Sequence, residues 1–229
     1  MMLPNRLFRG NPMHIPSEIL ATGAMLNWKE IHVTDKVRKT PVDAFGNAVG
    51  YDAEGVTKPL REAIEIAGRT GFGIGVSLGS GLQVTAHGFT GYLWCFDFDG
   101  FCDLSDGVPD ADLVEVMAMM DGYLELSPSA TGAKAFFVSD KPPSTKFKIH
   151  FAPSKLADQY PDIRKYRERE IEIFSKNVFL ALTGDKLFDD EHFELDNIGS
   201  KDLDKLIERI DAIAKRTGGL GIAKPAKEK

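Results

Sequence analysis

Cysteine is scarce in this chain of 229 residues: it has two, Cys95 and Cys102, which offer neither a disulfide framework nor a zinc-ligand pattern. Long apolar runs are also lacking, since none approaches the roughly 18 residues of a membrane-spanning helix. The N-terminus lacks the continuous apolar stretch of a signal peptide. These absences predict a cytoplasmic protein with no membrane partner.

An excess of positive charge is missing too, because the formal net charge is −6 and the isoelectric point is about 5.4. This balance argues against a protein that coats nucleic acid by bulk electrostatics, but it permits an enzyme with a local basic groove. Hydrophobic content of 43% and charged content of 27% are those of an ordinary globular protein. We expect a main domain over residues 1–217 and a flexible tail over 218–229.

Short apolar segments outnumber helical ones, and many of them lie at hairpin spacing. We predict helices after Pro59, after Asp110 as an N-cap, and from Ser200 to Gly218. The first of these helices is expected to end at Gly68, and a polar loop is expected to run up to Gly55. The pattern predicts an α+β fold, in which helices pack on one face of a small mixed or antiparallel sheet.

The strongest strand is Tyr92 to Asp99, YLWCFDFD. Because alternate side chains of a strand share a face, Asp97 and Asp99 point away from Phe96 and Phe98. Two carboxylates about 7 Å apart along a strand repel each other, and a pair of divalent metal ions is a natural neutraliser. A solvated strand end, where Asp before Gly is common, is the alternative interpretation.

The segment SPSATGAK, from Ser127 to Lys134, joins two predicted strands. Its small hydroxyl residues and Gly132 can present backbone N–H groups to phosphate oxygens, and Lys134 is a point charge suited to a triphosphate. An ordinary hairpin loop is the alternative.

Glu172 interrupts the apolar strand Ile171 to Phe174, where it is either an outward-facing residue or a third metal ligand. Glu125 poses the same question and is the substitute candidate. Lys146, Lys148 and His150 share one strand face. They are candidates for a basic strip along the template or, equally, for a solvated face.

Together and in this order, these segments resemble the catalytic domains of primase-polymerases of the archaeo-eukaryotic primase superfamily, in the form found on phages and plasmids. The three motifs are CFDFDG, ELSPSATGAKAFF and IEIFSKNVFLALTG. The N-terminal part is also similar, with NWKEIHV, KTP and the glycine-rich GFGIGVSLGSG. The resemblance spans roughly residues 14 to 187.

The resemblance implies an RRM-like catalytic core and a template-directed DNA primase or polymerase. It implies that Asp97, Asp99 and Glu172 are catalytic and bind Mg²⁺ or Mn²⁺. It implies NTP or dNTP, a single-stranded DNA template and a replicative helicase as partners. The residues implied to bind the nucleotide are Ser127, Ser129, Thr131, Gly132, Lys134 and Thr183.

The sequence departs from this family at three positions. Lys134 replaces the histidine of the second motif, Val178 replaces an arginine of the third, and Ala130 replaces a loop glycine. A catalytically degenerate replication protein is therefore the main alternative function. If Glu172 joins the aspartates, we expect the pKa of at least one of the three acids to be raised, because like charges disfavour ionisation.

A phosphatase of the haloacid-dehalogenase type is a further alternative, because its hallmark is also an apolar strand followed by Asp-x-Asp-Gly. Ser139 in FFVSDK and the acids in the FDD segment at 188–190 would complete such a site. About 90 residues precede the motif here, although it normally lies near the start of the domain. Phe101 also stands where a threonine normally follows.

Overall fold

A computed structural model of the protein describes residues 12–33, 36–120, 122–187 and 194–223. The helices are a short 3₁₀ helix (Pro12–His14), α1 (Ser17–Leu20), α2 (Leu60–Thr70), α3 (Ala111–Met117), α4 (Leu156–Gln159), α5 (Arg164–Arg167) and α6 (Ser200–Arg216). The strands are β1 (Met25–Val33), β2 (Lys36–Val42), β3 (Gly73–Ser77), β4 (Gln83–Ala86), β5 (Phe89–Asp99), β6 (Tyr123–Leu126), β7 (Gly132–Ser139), β8 (Phe147–His150), β9 (Glu170–Phe174), β10 (Phe179–Leu182), β11 (Asp196–Asn197) and β12 (Gly221–Ile222). Within the described ranges, no helix combines the length and the apolar character needed to span a membrane.

The strands form two sheets rather than the one small sheet expected from the sequence. The smaller sheet has the order β10-β3-β1-β2 and is antiparallel throughout. The larger sheet has the order β11-β7-β5-β9-β8-β12, with β4 paired to β5 and β6 paired to β7. Among its described pairs β7–β11 is parallel and the others are antiparallel. The predicted α+β class is confirmed.

Helices α3 and α6 cover one face of the larger sheet, as the sequence predicted. Phe96 and Phe98 of β5 lie in one buried cluster with Leu113 of α3 and Leu203 of α6. The rings of Phe96 and Phe137 meet edge to face with centroids 5.0 Å apart, a geometry that favours tight packing of aromatic side chains. Apolar residues therefore alternate along β5 because every second side chain packs into the core beneath these helices.

The opposite face of the larger sheet packs partly against the smaller sheet. Cys95, Phe136 and Phe174 of the larger sheet share a second buried cluster with Ile74 and Leu180 of the smaller one. Cys95 lies on the same side of β5 as Asp97 and Asp99, since the three are spaced by two. The aspartates therefore lie on the face that the smaller sheet partly covers.

Some of the predicted helix boundaries are confirmed, and others differ in the structure. Asp110 caps α3 by accepting a hydrogen bond at 3.0 Å from the Leu113 amide. Helix α2 begins after Pro59 but ends at Gly71, whose φ of +74° supplies the left-handed C-cap that was assigned to Gly68. The tail predicted from residue 218 contains β12, which pairs with β8.

Strand β2 replaces part of the polar loop predicted before Gly55. Its sequence, KVRKTPV, contains Pro41 and three cationic residues. Such a composition suits an edge strand, because proline and lysine discourage further strand pairing. Strand β2 does lie at the edge of the smaller sheet. Its proline and lysines, which are typical of an edge strand, are the same residues that made the segment look like a loop in the sequence.

Candidate active site

A row of charged side chains crosses the larger sheet at the end of β5. Asp97 is directly opposite Lys134 of β7 on one side and Glu172 of β9 on the other. Because directly opposed residues share a sheet face, these three side chains project together. The row continues to Glu125 beyond Lys134 and to Lys148 beyond Glu172. The expected position of Glu172, beside Asp97 on the same face, is confirmed.

A second row lies one step further along the same face. Asp99 is opposite Gly132 on one side and Glu170 on the other, and Glu170 is opposite His150. Sequence reasoning missed Glu170, although it stands two residues before Glu172 on one strand and must share its face. Four carboxylates, from two aspartates and two glutamates, therefore cluster at the ends of β5 and β9.

Lysines neutralise each of these carboxylates. Lys134 Nζ lies 2.5 Å from Asp97 Oδ1 in an ion pair that is largely buried, and Lys165 of α5 pairs with Asp99. Glu172 Oε1 lies 2.8 Å from Lys146 Nζ and 2.9 Å from Lys148 Nζ. Glu170 pairs with Lys148 at 2.5 Å. The predicted basic strip of Lys146, Lys148 and His150 does share one face, but its lysines are ion-paired to the acids beside them.

For Asp97 and Glu172, these lysines reverse the direction of the pKa shift expected from crowding of the acids. Burial alone would raise the pKa of Asp97, but the charges of Lys134 and Lys165 hold it below its ordinary value. Burial opposes ionisation of Glu172 as well, but hydrogen bonds from Lys146 and Lys148 lower its pKa. Opposite charges within the row outweigh the repulsion between like ones.

The charged row opens on a cleft of about 490 Å³ between the two sheets. Its charged lining residues are Asp97, Glu172, Lys39, Lys134, Lys146 and Lys176. Four lysines thus face two carboxylates, in a protein whose formal net charge is −6. A volume of this size is typical of a small-molecule site, and the charge excess suits an anionic ligand.

The predicted nucleotide loop between β6 and β7 is mostly occupied with its own hydrogen bonds. Ser129 Oγ lies 3.0 Å from Ser127 Oγ and 2.9 Å from Thr131 Oγ1. Ser127 and Thr131 are buried, whereas Ser129 is half-buried. Ala130, at the family's glycine position, has a φ of +58°, in the left-handed region that favours glycine. These contacts are those of a self-contained hairpin loop, and a phosphate role for its hydroxyl groups stays a prediction.

Gly132 has a packing reason of its own. A Cβ atom at this position would lie 1.8 Å from the Phe98 carbonyl oxygen. Only glycine therefore allows β7 to approach β5 this closely, and that approach sets Lys134 against Asp97.

Glu125, the substitute candidate for the third acid, has a structural role. Its side chain is fully buried and accepts hydrogen bonds from the Tyr123 hydroxyl at 2.8 Å and the Gly184 amide at 3.0 Å. It also accepts from the Thr183 amide at 3.1 Å, while the Thr183 hydroxyl donates to the Leu126 carbonyl at 2.8 Å. Glu125 and Thr183 together fix the end of β10, and Glu172 is the acid beside the aspartates.

Ser139, the serine that a phosphatase site would need, does not lie with the aspartates. Ser139 is directly opposite Tyr92, on the face that Phe96 and Phe98 share, and it is fully buried. It lies on the other side of the sheet from Asp97 and Asp99. The FDD segment at 188–190 lies outside the described residues.

Three lysines near the acids were missed from the sequence, namely Lys39, Lys165 and Lys176. Lys39 belongs to the KTP segment, within the polar loop predicted before Gly55, and Lys165 lies on α5. The sequence predicted no role beside the acids for any of the three, because long-range packing brings them to the carboxylates.

Across the described ranges, no group of three or more His, Cys, Asp or Glu side chains is arranged to hold a metal ion. No protein-family model matches the chain, and no curated protein matches its sequence. The geometry of the cleft and the ordered motifs are therefore what bear on function.

Proposed function

We propose that this protein is a metal-dependent nucleotidyltransferase of the primase-polymerase type. It would add nucleotides from NTP or dNTP to a 3′-hydroxyl on a single-stranded DNA template, in phage or plasmid replication. One observation carries the proposal: Asp97 and Glu172 stand directly opposite each other and open on a lysine-lined cleft. Acids and lysines together suit a site for metal ions and a polyphosphate.

The acids fit Mg²⁺ or Mn²⁺ by their chemistry, since both ions prefer carboxylate oxygens. Asp97, Asp99 and Glu172 would hold the metal ions, and each of them already has a cationic group beside it. Lys134 and a metal ion would compete for the carboxylate of Asp97. When bound, the metal ions would supply activation of the 3′-hydroxyl and charge stabilisation for the leaving pyrophosphate.

The chain itself contributes position and charge. Strand pairing between β5 and β9 holds Asp97 and Glu172 rigidly side by side. The cleft lysines would neutralise the polyphosphate and orient it. Lys146, whose side chain is half-exposed at the cleft, would meet either the nucleotide or the template strand. A replicative helicase belongs to the proposal as a partner in the same process.

A second candidate, a catalytically degenerate replication protein, is favoured by one observation. Lys134 stands where the resembled family has histidine, and it forms a buried ion pair with the proposed metal ligand Asp97. A permanently bound ammonium group would satisfy that carboxylate without a metal ion. Such a protein would bind single-stranded DNA or nucleotide and leave both unchanged.

Incubation with labelled nucleotides, a primed single-stranded DNA template and Mn²⁺ or Mg²⁺ tests the proposal. We expect primer extension that EDTA abolishes. Template binding with no extension under any metal condition would support the degenerate protein. Release of inorganic phosphate from a monoester, without extension, would contradict both and favour a phosphatase.

A further inference from the structure

The lysines at the cleft differ in what they already bind. Lys134 forms an ion pair with Asp97 and Lys146 with Glu172, while Lys148 and Lys165 form ion pairs with Glu170 and Asp99. Lys39 has no ion-pair partner among the described residues, and its ammonium group lies over the aromatic ring of Trp28. An ammonium group already held by a carboxylate is less available to a ligand than one that is not.

Lys39 is held over the cleft from the smaller sheet. It lies on β2, and its Nζ is 5.7 Å from the centroid of the Trp28 ring. Trp28 is itself buried and donates its indole N–H to the Ile74 carbonyl at 2.9 Å. The amine therefore rests on a fixed support and lines the cleft opposite Asp97 and Glu172.

The surroundings of Lys39 disfavour its own positive charge. Burial lowers the pKa of Lys39 to about 7, and the nearby charges of Lys134 and Lys165 act in the same direction. Asp97 and Asp99 oppose this effect and only partly offset it. An anion bound beside Lys39 would stabilise the protonated amine and raise its pKa.

We infer that Lys39 contacts the polyphosphate group of the bound nucleotide, reaching it from the smaller sheet across the cleft. This inference rests on the proposed function, because that function supplies the polyphosphate. It assigns the smaller sheet a direct part in substrate binding. Strand β2 then serves as one wall of the nucleotide site.

Proton uptake on anion binding is the measurable consequence. A bound anion raises the pKa of Lys39, so the contact is fully present below about pH 7 and is lost as pH rises through the pKa of the complex. Near pH 7 a part of the Lys39 amines is neutral before binding, so anion binding is accompanied by net proton uptake. The charged groups that act on the pKa of Lys39 are Lys134 on β7, Lys165 on α5, and Asp97 and Asp99 on β5. Glu30 of β1 is directly opposite Lys39 in the strand pair.

Calorimetric titration with inorganic tripolyphosphate in EDTA tests the inference without the reaction. Buffers of different ionisation enthalpy report the protons taken up. The variants are Lys39→Met, which removes the charge, and Lys39→Arg, which keeps it without titrating near pH 7. Arg38→Met is the matched control. Arg38 is exposed, and because it precedes Lys39 on β2 its side chain points to the opposite face of the strand.

We expect Lys39→Met to weaken tripolyphosphate binding about tenfold or more, the loss typical of one charge-assisted hydrogen bond. Lys39→Arg should still bind tripolyphosphate. It should lose the part of the proton uptake that comes from Lys39, so that only the proton exchange of the ligand itself remains. Arg38→Met should behave as wild type. Unfolding temperatures of all three variants, compared with wild type, verify that the fold is intact.

Equal binding by wild type and Lys39→Met would overturn the inference, as would a wild type that does not bind tripolyphosphate. Primer extension by wild type with Mn²⁺ distinguishes failure of the Lys39 inference from failure of the proposed function. If extension occurs while Lys39→Met binds normally, the proposed function stands and the role of Lys39 falls. If neither extension nor tripolyphosphate binding occurs, both fall together.

Discussion

At the scale of the residue, the pair of Lys134 and Asp97 governs the state of the proposed site. Desolvation disfavours both charges, and their mutual attraction offsets that cost. The attraction wins, since the pKa of Lys134 is raised above its ordinary value and that of Asp97 is lowered. A histidine at position 134 would lose its charge near neutral pH, whereas this lysine keeps it.

Lys134→Ala is therefore expected to destabilise the protein, and a metal ion bound at Asp97 is expected to restore part of the lost stability. Removing the ammonium leaves a largely buried carboxylate without its partner, which should lower stability by about 3 kcal/mol. Added Mn²⁺ should then raise the unfolding temperature of the variant more than that of wild type, because the metal ion no longer competes with Lys134. Thermal unfolding with and without Mn²⁺ measures both effects.

Lys205→Ala supplies the control for that comparison. Lys205 forms an exposed i,i+3 ion pair with Asp202, and such pairs contribute little to stability. It should unfold like wild type and respond to Mn²⁺ like wild type. A Lys134→Ala variant with no extra response to Mn²⁺ would contradict competition between the lysine and the metal ion.

At the scale of the element, the close pairing of β5 and β7 depends on Gly132. Gly132→Ala should destabilise the protein by about 3 kcal/mol, because the new Cβ atom meets backbone that cannot move away freely. It should also disturb the ion pair between Lys134 and Asp97. Urea unfolding measures the first effect.

Gly68→Ala is a matched control, because a Cβ atom there meets nothing within 4 Å and the position lies inside helix α2. We expect it to be neutral or to stabilise by about 0.5 kcal/mol, since alanine favours helix over glycine. If Gly132→Ala unfolded at the same urea concentration as Gly68→Ala, the packing role of Gly132 would be wrong.

The elements also show what local sequence can predict. The alternation in β5 predicts which way Asp97 and Phe96 face, because one side of the strand is covered by helices and the other carries charge. Strand β2 escaped prediction because its lysines and Pro41 serve an edge, and an edge strand looks like a loop. The loop sequence predicts a phosphate-binding role for Gly132, and it gives no sign of the packing requirement set by the Phe98 carbonyl.

At the scale of the whole molecule, the cleft lies between two sheets that also share one buried cluster. The α+β class and the position of Glu172 beside the aspartates follow from patterning and from motif order. The division into two sheets does not, since it depends on contacts between segments far apart in sequence. The lysine partners of the acids depend on strand register, which no single segment encodes.

Charge separation is the other large-scale feature. The protein is acidic overall, yet the cleft is lined by four lysines and two carboxylates. Acidic groups elsewhere on the surface would repel a polyanion from other approaches, while the cleft attracts it. Composition alone permitted such a groove but gave no means of locating it.

Primer extension by Asp97→Asn and Glu172→Gln tests the central claim most directly, with Glu168→Gln as a control. Glu168 is exposed and lies just after α5, away from the cleft. With Mn²⁺ and a primed single-stranded template, we predict that each of the two cleft variants loses at least about a hundredfold in rate. Circular dichroism should show that both remain folded, and Glu168→Gln should match wild type. Near-normal extension by a folded Asp97→Asn or Glu172→Gln variant would contradict the assignment of the cleft as a metal-dependent nucleotidyltransferase site.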